Sequence, residues 1–384
     1  MSVTFPSALI RYERLRRNWS QEGLCEGICA VSYLSKIEQG KADPGEEILS
    51  ALMKRLEIEW HGGAEAEQIK QLLDELLEAE LSMDTRARGE LMKRLAELRP
   101  VGINGPYMLD LLLLEQLHMY KVDADTKEIN AFEDCFTPRQ RAIWLMLQER
   151  YEEALQLMPV SYVYLESGSS AYFNGQYAQA TERLLQACSL AAEEGRARVL
   201  LYARTMLGNC YSDQNDYEAM CRHYQAAQRL ARSLGDDDVL ESIRYNTAAT
   251  QLQMGMYEQA CQYFSSVEEP CALVLHKLAV CQEKLGMPAE ALKTLDRVQQ
   301  CKALSFSNDD YPGWEWIERM CALVRWRLEH TDYLHDSAYG EMLISAYRDM
   351  KKDLSNGYAM FHQPWVEEWY VANRQYKQAY ELKR

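Results

Sequence analysis

Two sets of polar side chains have the types and spacing for molecular recognition. In VSYLSKIE (31–38), Leu34 and Ile37 mark an apolar helical face, which places Ser32, Ser35, Lys36 and Gln39 on the opposite side. Compact hydroxyls, an amide and an ammonium on one helix face suit hydrogen bonding to base edges in a DNA major groove. Far downstream, Asn209 and Asn246 sit in equivalent stretches of an internal repeat. Each amide carries a donor and an acceptor, so it can pair with the N–H and C=O of an extended peptide without reading its side chains. Covalent chemistry is not indicated, since the 7 His are scattered and no P-loop, GxSxG, HExxH or dinucleotide fingerprint occurs. Cys25 and Cys29 lie four apart with no histidine at metal spacing and no second pair, so no zinc site is expected. A binding protein without cofactor or metal is expected, not an enzyme.

The polar residues of 31–38 need a scaffold, and the surrounding apolar pattern supplies one. Leu24, Ile28, Leu34 and Ile37 form the inner faces of two short helices meeting near right angles, and Ile48, Leu49, Leu52 and Leu56 give a third helix its buried face. Ser20 starts one helix and Asp43-Pro44 precedes another. Residues 1–60 hold 8 Lys or Arg and 9 Asp or Glu, whereas the whole chain has 42 against 58, a net charge of −16. The negative excess therefore lies outside the first segment, and the two parts have different tasks. Arg11, Arg14, Arg16, Arg17 and Lys41 are the local positive charge available for a polyanion, whose binding would weaken with salt. So small a module buries little DNA, which favours two copies on half-sites one turn apart.

The rest of the 384-residue chain is poor in breakers, with 19 Gly and 10 Pro, and its 47% hydrophobic content is that of ordinary globular proteins. An all-α fold is expected. The apolar run at Leu111–Leu114 stops at Glu115 and Gln116, far short of a bilayer span. The N-terminus is charged where a signal peptide needs an apolar stretch, so a cytoplasmic protein with reduced thiols is expected from the 11 Cys. Residues 61–64, with paired glycines, read as a linker. Ile69, Leu72, Leu73, Leu76 and Leu77, then Leu91, Leu95 and Leu98, predict a helical hairpin over 65–99 that Pro100 ends.

Beyond it a short pattern returns: RYEEA (150–154), QYAQA (176–180), DYEAM (216–220), MYEQA (256–260), MPAEA (287–291) and QYKQA (375–379). Tyr177, Tyr217 and Tyr257 are 40 residues apart, and Gly168 and Gly208 each precede their tyrosine by nine. Fixed offsets indicate one helical hairpin reused, each copy burying its neighbour's face. Between 300 and 365 only a degenerate copy near Asp332-Tyr333 is visible. Stacked hairpins line a concave surface with their first helices. With units starting at Leu201 and Glu241, Asn209 and Asn246 take inward positions nine and six. The same face should carry Tyr172, Tyr202 and Tyr245 as flat apolar surface, Lys277 for a carboxylate and Glu166 for an amine.

The repeat in LGNCYSDQNDYEAMCRHYQAA (207–227) resembles the tetratricopeptide repeat, and WSQEGLCEGICAVSYLSKIEQGKADP (19–44) resembles the XRE-type helix-turn-helix. The second resemblance implies that Gln21 donates to a phosphate, Ser32 and Lys36 reach base edges, Lys41 holds the backbone, and Val31 and Tyr33 flank that surface for a thymine methyl. Joined, the two parts resemble the RRNPP family of cytoplasmic peptide-pheromone receptors. That resemblance implies a helix-turn-helix domain over 1–60 and a right-handed tetratricopeptide-like α-solenoid over 65–384. It also implies a homodimeric regulator of promoter DNA, responsive to a short signalling peptide held by Asn209 and Asn246, with no membrane partner. Whether peptide promotes or releases DNA binding is open. The alternative is a scaffold that holds a protein tail, with the first 60 residues as a docking module.

Overall fold

The computed structural model describes residues 5–118, 127–300, 313–354 and 356–382, and every regular element among them is helical. Contacts group the chain into two units, one of residues up to Ser170 with Glu182–Ala203, the other of Ala171–Thr181 with Arg204 onward.

In the first unit, α1 (Phe5–Arg16), α2 (Gln21–Cys25), α3 (Val31–Glu38) and α4 (Glu46–Arg55) form the N-terminal module. Ser20 caps α2, its Oγ accepting from the Gly23 N–H at 3.0 Å. Leu24, Leu34, Ile37, Leu52 and Leu56 are fully buried, as their spacing requires, while Ile28, Ile48 and Leu49 pack at the rim. This core draws on distant sequence: Leu109, Phe132 and Cys135 fill it, and the Phe132 ring lies 5.4 Å from Phe5 and 5.1 Å from Tyr12.

A hairpin of α5 (Gly63–Leu81) and α6 (Thr85–Gly102) follows, with Asp84 capping α6 through the Ala87 N–H. Pro100 does not end α6 as expected, because in a final turn proline removes a single ladder bond and the helix closes two residues later. Next come α7 (Met108–His118), α8 (Lys127–Asn130), α9 (Pro138–Leu147) and α10 (Tyr151–Leu157). Leu72, Leu76, Leu95, Leu111, Leu113 and Ile143 make their shared core. Three helices have residues in both units: α11 (Ser161–Phe173), α12 (Tyr177–Glu194) and α13 (Ala197–Asp213).

The second unit continues with α14 (Tyr217–Leu234), α15 (Asp237–Gln253), α16 (Tyr257–Ser266), α17 (Ala272–Lys284), α18 (Pro288–Val298), α19 (Trp314–Glu329), α20 (Ser337–Asp353), α21 (Asn356–Ala372) and α22 (Tyr376–Glu381). From α14 on, each packs on the next. Tyr177, Tyr217 and Tyr257 open α12, α14 and α16, and Ala180, Ala260 and Ala291 are fully buried three residues into their helices. Gly208 is small by necessity, since a Cβ there would lie 2.1 Å from Cε1 of Tyr224. The faint repeat after residue 313 uses the same device with a larger ring: a Cβ on Gly340 would lie 2.1 Å from Cζ2 of Trp369. Among the described residues no helix is long and apolar enough to cross a membrane.

Candidate functional site

The N-terminal module presents one face of α3. Val31, Ser32 and Lys36 are exposed and Ser35 is half-buried, with Leu34 and Ile37 turned into the core. A short chain of side chains runs past the end of the helix: Lys41 Nζ donates to Gln39 Oε1 at 2.7 Å, and Gln39 Nε2 donates to Ser35 Oγ at 3.1 Å. Tyr33 is half-buried and its hydroxyl donates to the Asp43 carbonyl at 3.2 Å, so it braces the loop after α3.

Two expected contributors face elsewhere. Glu38 is buried, and a buried carboxylate is costly unless several donors surround it. Arg14 supplies Nε and Nη2 at 2.6 and 2.9 Å, and Gln21 supplies Nε2 at 2.8 Å. The hydrogen bond with Glu38 raises the Arg14 guanidinium above its ordinary pKa. Gln21, expected to donate to phosphate, is therefore engaged by Glu38, and Arg14 spends its charge inside the module. Arg16 pairs with Glu13 at 2.7 Å and Arg17 with Glu57 at 3.2 Å. The outward set is Val31, Ser32, Ser35, Lys36 and Lys41.

In the second unit a cavity of about 230 Å³ is lined by Asn209, Asn246, Tyr172, Tyr245 and Lys277, five of the seven residues expected to hold a peptide. Tyr202 and Glu166 fall in the first unit and are not among its lining residues. Asn246 Nδ2 donates to Asn209 Oδ1 at 3.2 Å, and the Tyr224 hydroxyl donates to the same oxygen at 2.6 Å. Burial raises the Tyr224 phenol well above its ordinary pKa, so it stays a donor. Asp213 lines the cavity as well, accepting from the Tyr177 hydroxyl at 3.0 Å, and burial raises its pKa.

Lys277 lies on α17 with 6% of its surface exposed and its Nζ 2.9 Å from the centroid of the Phe361 ring. Among the described residues no side chain pairs with this ammonium or hydrogen-bonds to it, and burial lowers its pKa well below the lysine range. Its neighbour His276 is fully buried, and among the described residues neither ring nitrogen has a hydrogen-bond partner. The His276 ring stacks 6.1 Å from that of His362, whose Nδ1 meets the Tyr358 carbonyl at 2.8 Å. Burial brings His362 down to about 3. Arg327 lies 3.6 Å over the Trp365 ring and is neutralised by Glu283, its Nε donating at 2.7 Å.

Tyr224 and Phe361 also line this cavity and were not legible as such in the sequence. Tyr224 follows the Asn209 helix by a full turn of the repeat and could have been suspected as the ring Gly208 makes room for. Phe361 comes from α21, in a stretch where the repeat pattern is faint, and no sequence signal points to it.

The helix-turn-helix family matches residues 10–61, and the tetratricopeptide repeat family matches residues 273–300, the α17–α18 hairpin that carries Lys277. A comparison with curated proteins gives no match. The fold is similar to that of the apo form of the quorum sensor NprR from B. thuringiensis, with TM-score 0.59 and 16% identity over 83% of this chain and 99% of that one. NprR in complex with its cognate peptide NprX gives TM-score 0.53 and 16% identity, covering 83% of this chain and 100% of that one. A Rap protein complexed with Competence and Sporulation Factor gives 0.51 and 14%, with 83% and 99% covered. At these identities the likeness is one of fold.

Proposed function

We propose that this chain, which joins a helix-turn-helix module to tetratricopeptide-like repeats, is a cytoplasmic transcription regulator controlled by a short signalling peptide. Promoter DNA is bound by α3 with Ser32 and Lys36 at base edges, and the peptide lies in the cavity of the second unit. The observation that carries this is the meeting of Asn209 and Asn246, 37 residues apart, on one cavity wall. Their mutual hydrogen bond joins the Asn246 N–H to the Asn209 oxygen, and a peptide amide can take the place of either partner in it. A structure of the same fold, NprR, holds its cognate peptide NprX, which supports the assignment. Two copies of the chain bind two half-sites, because one module offers only a single helix face. Peptide controls DNA binding to the extent that it prefers one arrangement of the dimer, and about a 10⁴-fold preference would take the population from 1:99 to 99:1.

Fluorescence anisotropy on the gene's own flanking DNA, at two salt concentrations and with synthetic peptides from any adjacent short reading frame, tests this. Sequence-specific binding altered by one peptide is the expected result. Binding indifferent to sequence and to every peptide would overturn it and favour a scaffold that holds a protein tail.

A further inference from the structure

We infer that the second-unit cavity selects peptides that carry a carboxylate, which seats on Lys277 and draws its ammonium off the Phe361 ring; this rests on the peptide-groove assignment above. The starting point is a buried amine that no carboxylate among the described residues meets. Lys277 is more than nine-tenths buried, lines the cavity, and among the described residues has an aromatic face as its only recorded partner. The attraction of a cation to a ring face falls short of replacing a lost hydration shell.

The groups around Lys277 do not supply the missing charge. His276 and His362 add neutral imidazoles with unpartnered nitrogens, Nδ1 and Nε2 on the first and Nε2 on the second. Arg327 is another cation, and Glu283 is already committed to it. Asp213 shares the cavity but forms no ion pair with Lys277, and the Tyr177 hydroxyl donates to it. A ligand that brought one negative charge would complete the site. A carboxylate fits that requirement better than a phosphate, which would set nearly two negative charges against one ammonium, close to Asp213. Tyr245, Leu273 and Phe361 around the same cavity supply apolar walls that exclude water and strengthen the contact.

Asn209 and Asn246 are indifferent to peptide sequence, since they address the backbone. Lys277 would give the cavity its discrimination, set by a charge-assisted hydrogen bond worth about 10- to 100-fold in affinity. The carboxylate can come from the peptide C-terminus or from an Asp or Glu side chain, and the two sources are separable.

The experiment uses the full chain and three random hexapeptide pools, with retention read by affinity selection and mass spectrometry. One pool lacks Asp and Glu and ends in a free carboxylate, the second lacks them and is amidated, and the third is amidated but contains Asp and Glu. At least tenfold greater retention of the first or third pool over the second is expected, the first identifying a terminal and the third a side-chain carboxylate. Lys277→Met should erase the difference and Lys277→Arg should keep it. Equal retention of the second pool, or a difference that survives Lys277→Met, would overturn the inference. If Lys277→Met failed to fold, the comparison among pools on the unaltered chain would decide alone. The Asn209→Ala/Asn246→Ala variant reports on the groove separately, because it should weaken all pools together. Retention of no pool would overturn both the carboxylate preference and the groove assignment.

Discussion

Asn246 donates through Nδ2 to Oδ1 of Asn209 across 3.2 Å, and that oxygen also accepts the Tyr224 hydroxyl at 2.6 Å. The two amides thus hold each other's orientation before any ligand arrives. An oxygen with two donors is fully used, so under the proposed function a peptide N–H approaching Asn209 would displace Asn246, whose freed N–H could then donate to the peptide carbonyl. Binding and exchange would then be one event at this pair.

Replacing Asn246 by Asp removes that donor and sets a carboxylate against Asn209 Oδ1. Peptide affinity should fall more than tenfold, with the loss of a hydrogen bond worth about 1 kcal/mol to stability as well. Calorimetric titration of the variant, beside thermal unfolding, checks both. Unchanged affinity would remove these amides from the site.

The module's two classes of polar residue should separate cleanly. Ser32→Ala/Lys36→Ala should abolish sequence preference, and Lys41→Ala should weaken binding to every duplex and lower the salt slope by about one. Gln21→Ala should instead act chiefly on stability, since its amide is bonded to Glu38 at 2.8 Å. A loss of about 1.5–3 kcal/mol is expected for a hydrogen bond to a charged group. Unfolding and anisotropy on the three variants distinguish the roles, and a Gln21→Ala variant with normal melting but lost DNA affinity would restore Gln21 to the DNA surface.

Arg14→Met strands the buried Glu38 carboxylate and should cost about 3–5 kcal/mol, enough to unfold the module in the most unfavourable case. Pairing it with Glu38→Leu should recover much of the loss, because the charge to be solvated is gone. Denaturant titration of the single and double variants measures the recovery.

Acid should destabilise the second unit through His276 and His362. Burial holds His276 well below the usual histidine range and His362 at about 3, and the nearby Lys277 and Arg327 add repulsion. In the unfolded chain both sit near 6.5. Between those values the unfolded chain binds more protons, so stability is fully present above about pH 6.5 and falls as pH drops toward 3, by up to about 1.4 kcal/mol per pH unit for each histidine. His362→Phe should flatten the dependence of melting temperature on pH from 7 to 4. Parallel curves for variant and unaltered chain would rule the histidine out as the cause.

Much of this was readable from spacing alone. The apolar positions of the first 56 residues and the 40-residue interval of the tyrosines fix helices whose cores depend on local periodicity. The repeat register placed Asn209 and Asn246 on one face, since equivalent positions share a face, and the two line one cavity. What periodicity could not reveal is where a polar side chain finds its partner. Glu38 lies beside Ile37 in sequence, and nothing in the pattern says that it is buried or that Arg14 and Gln21 converge on it. Lys277 was expected on the same face as the two asparagines and lines a cavity with them, but the ring above it comes from a helix 84 residues later.

The N-terminal core contains Leu109, Phe132 and Cys135, and this sets the timetable of its birth on the ribosome. Helices α1–α4 leave the tunnel first, yet their packing lacks its last aromatic partner until about 75 further residues have been made, roughly 4–15 s later at ordinary rates of synthesis. The module therefore cannot complete its packing while the nascent chain is still short. The N-terminal module is thus not a detachable piece, because its core closes only once α7 and the segment up to Cys135 are in place.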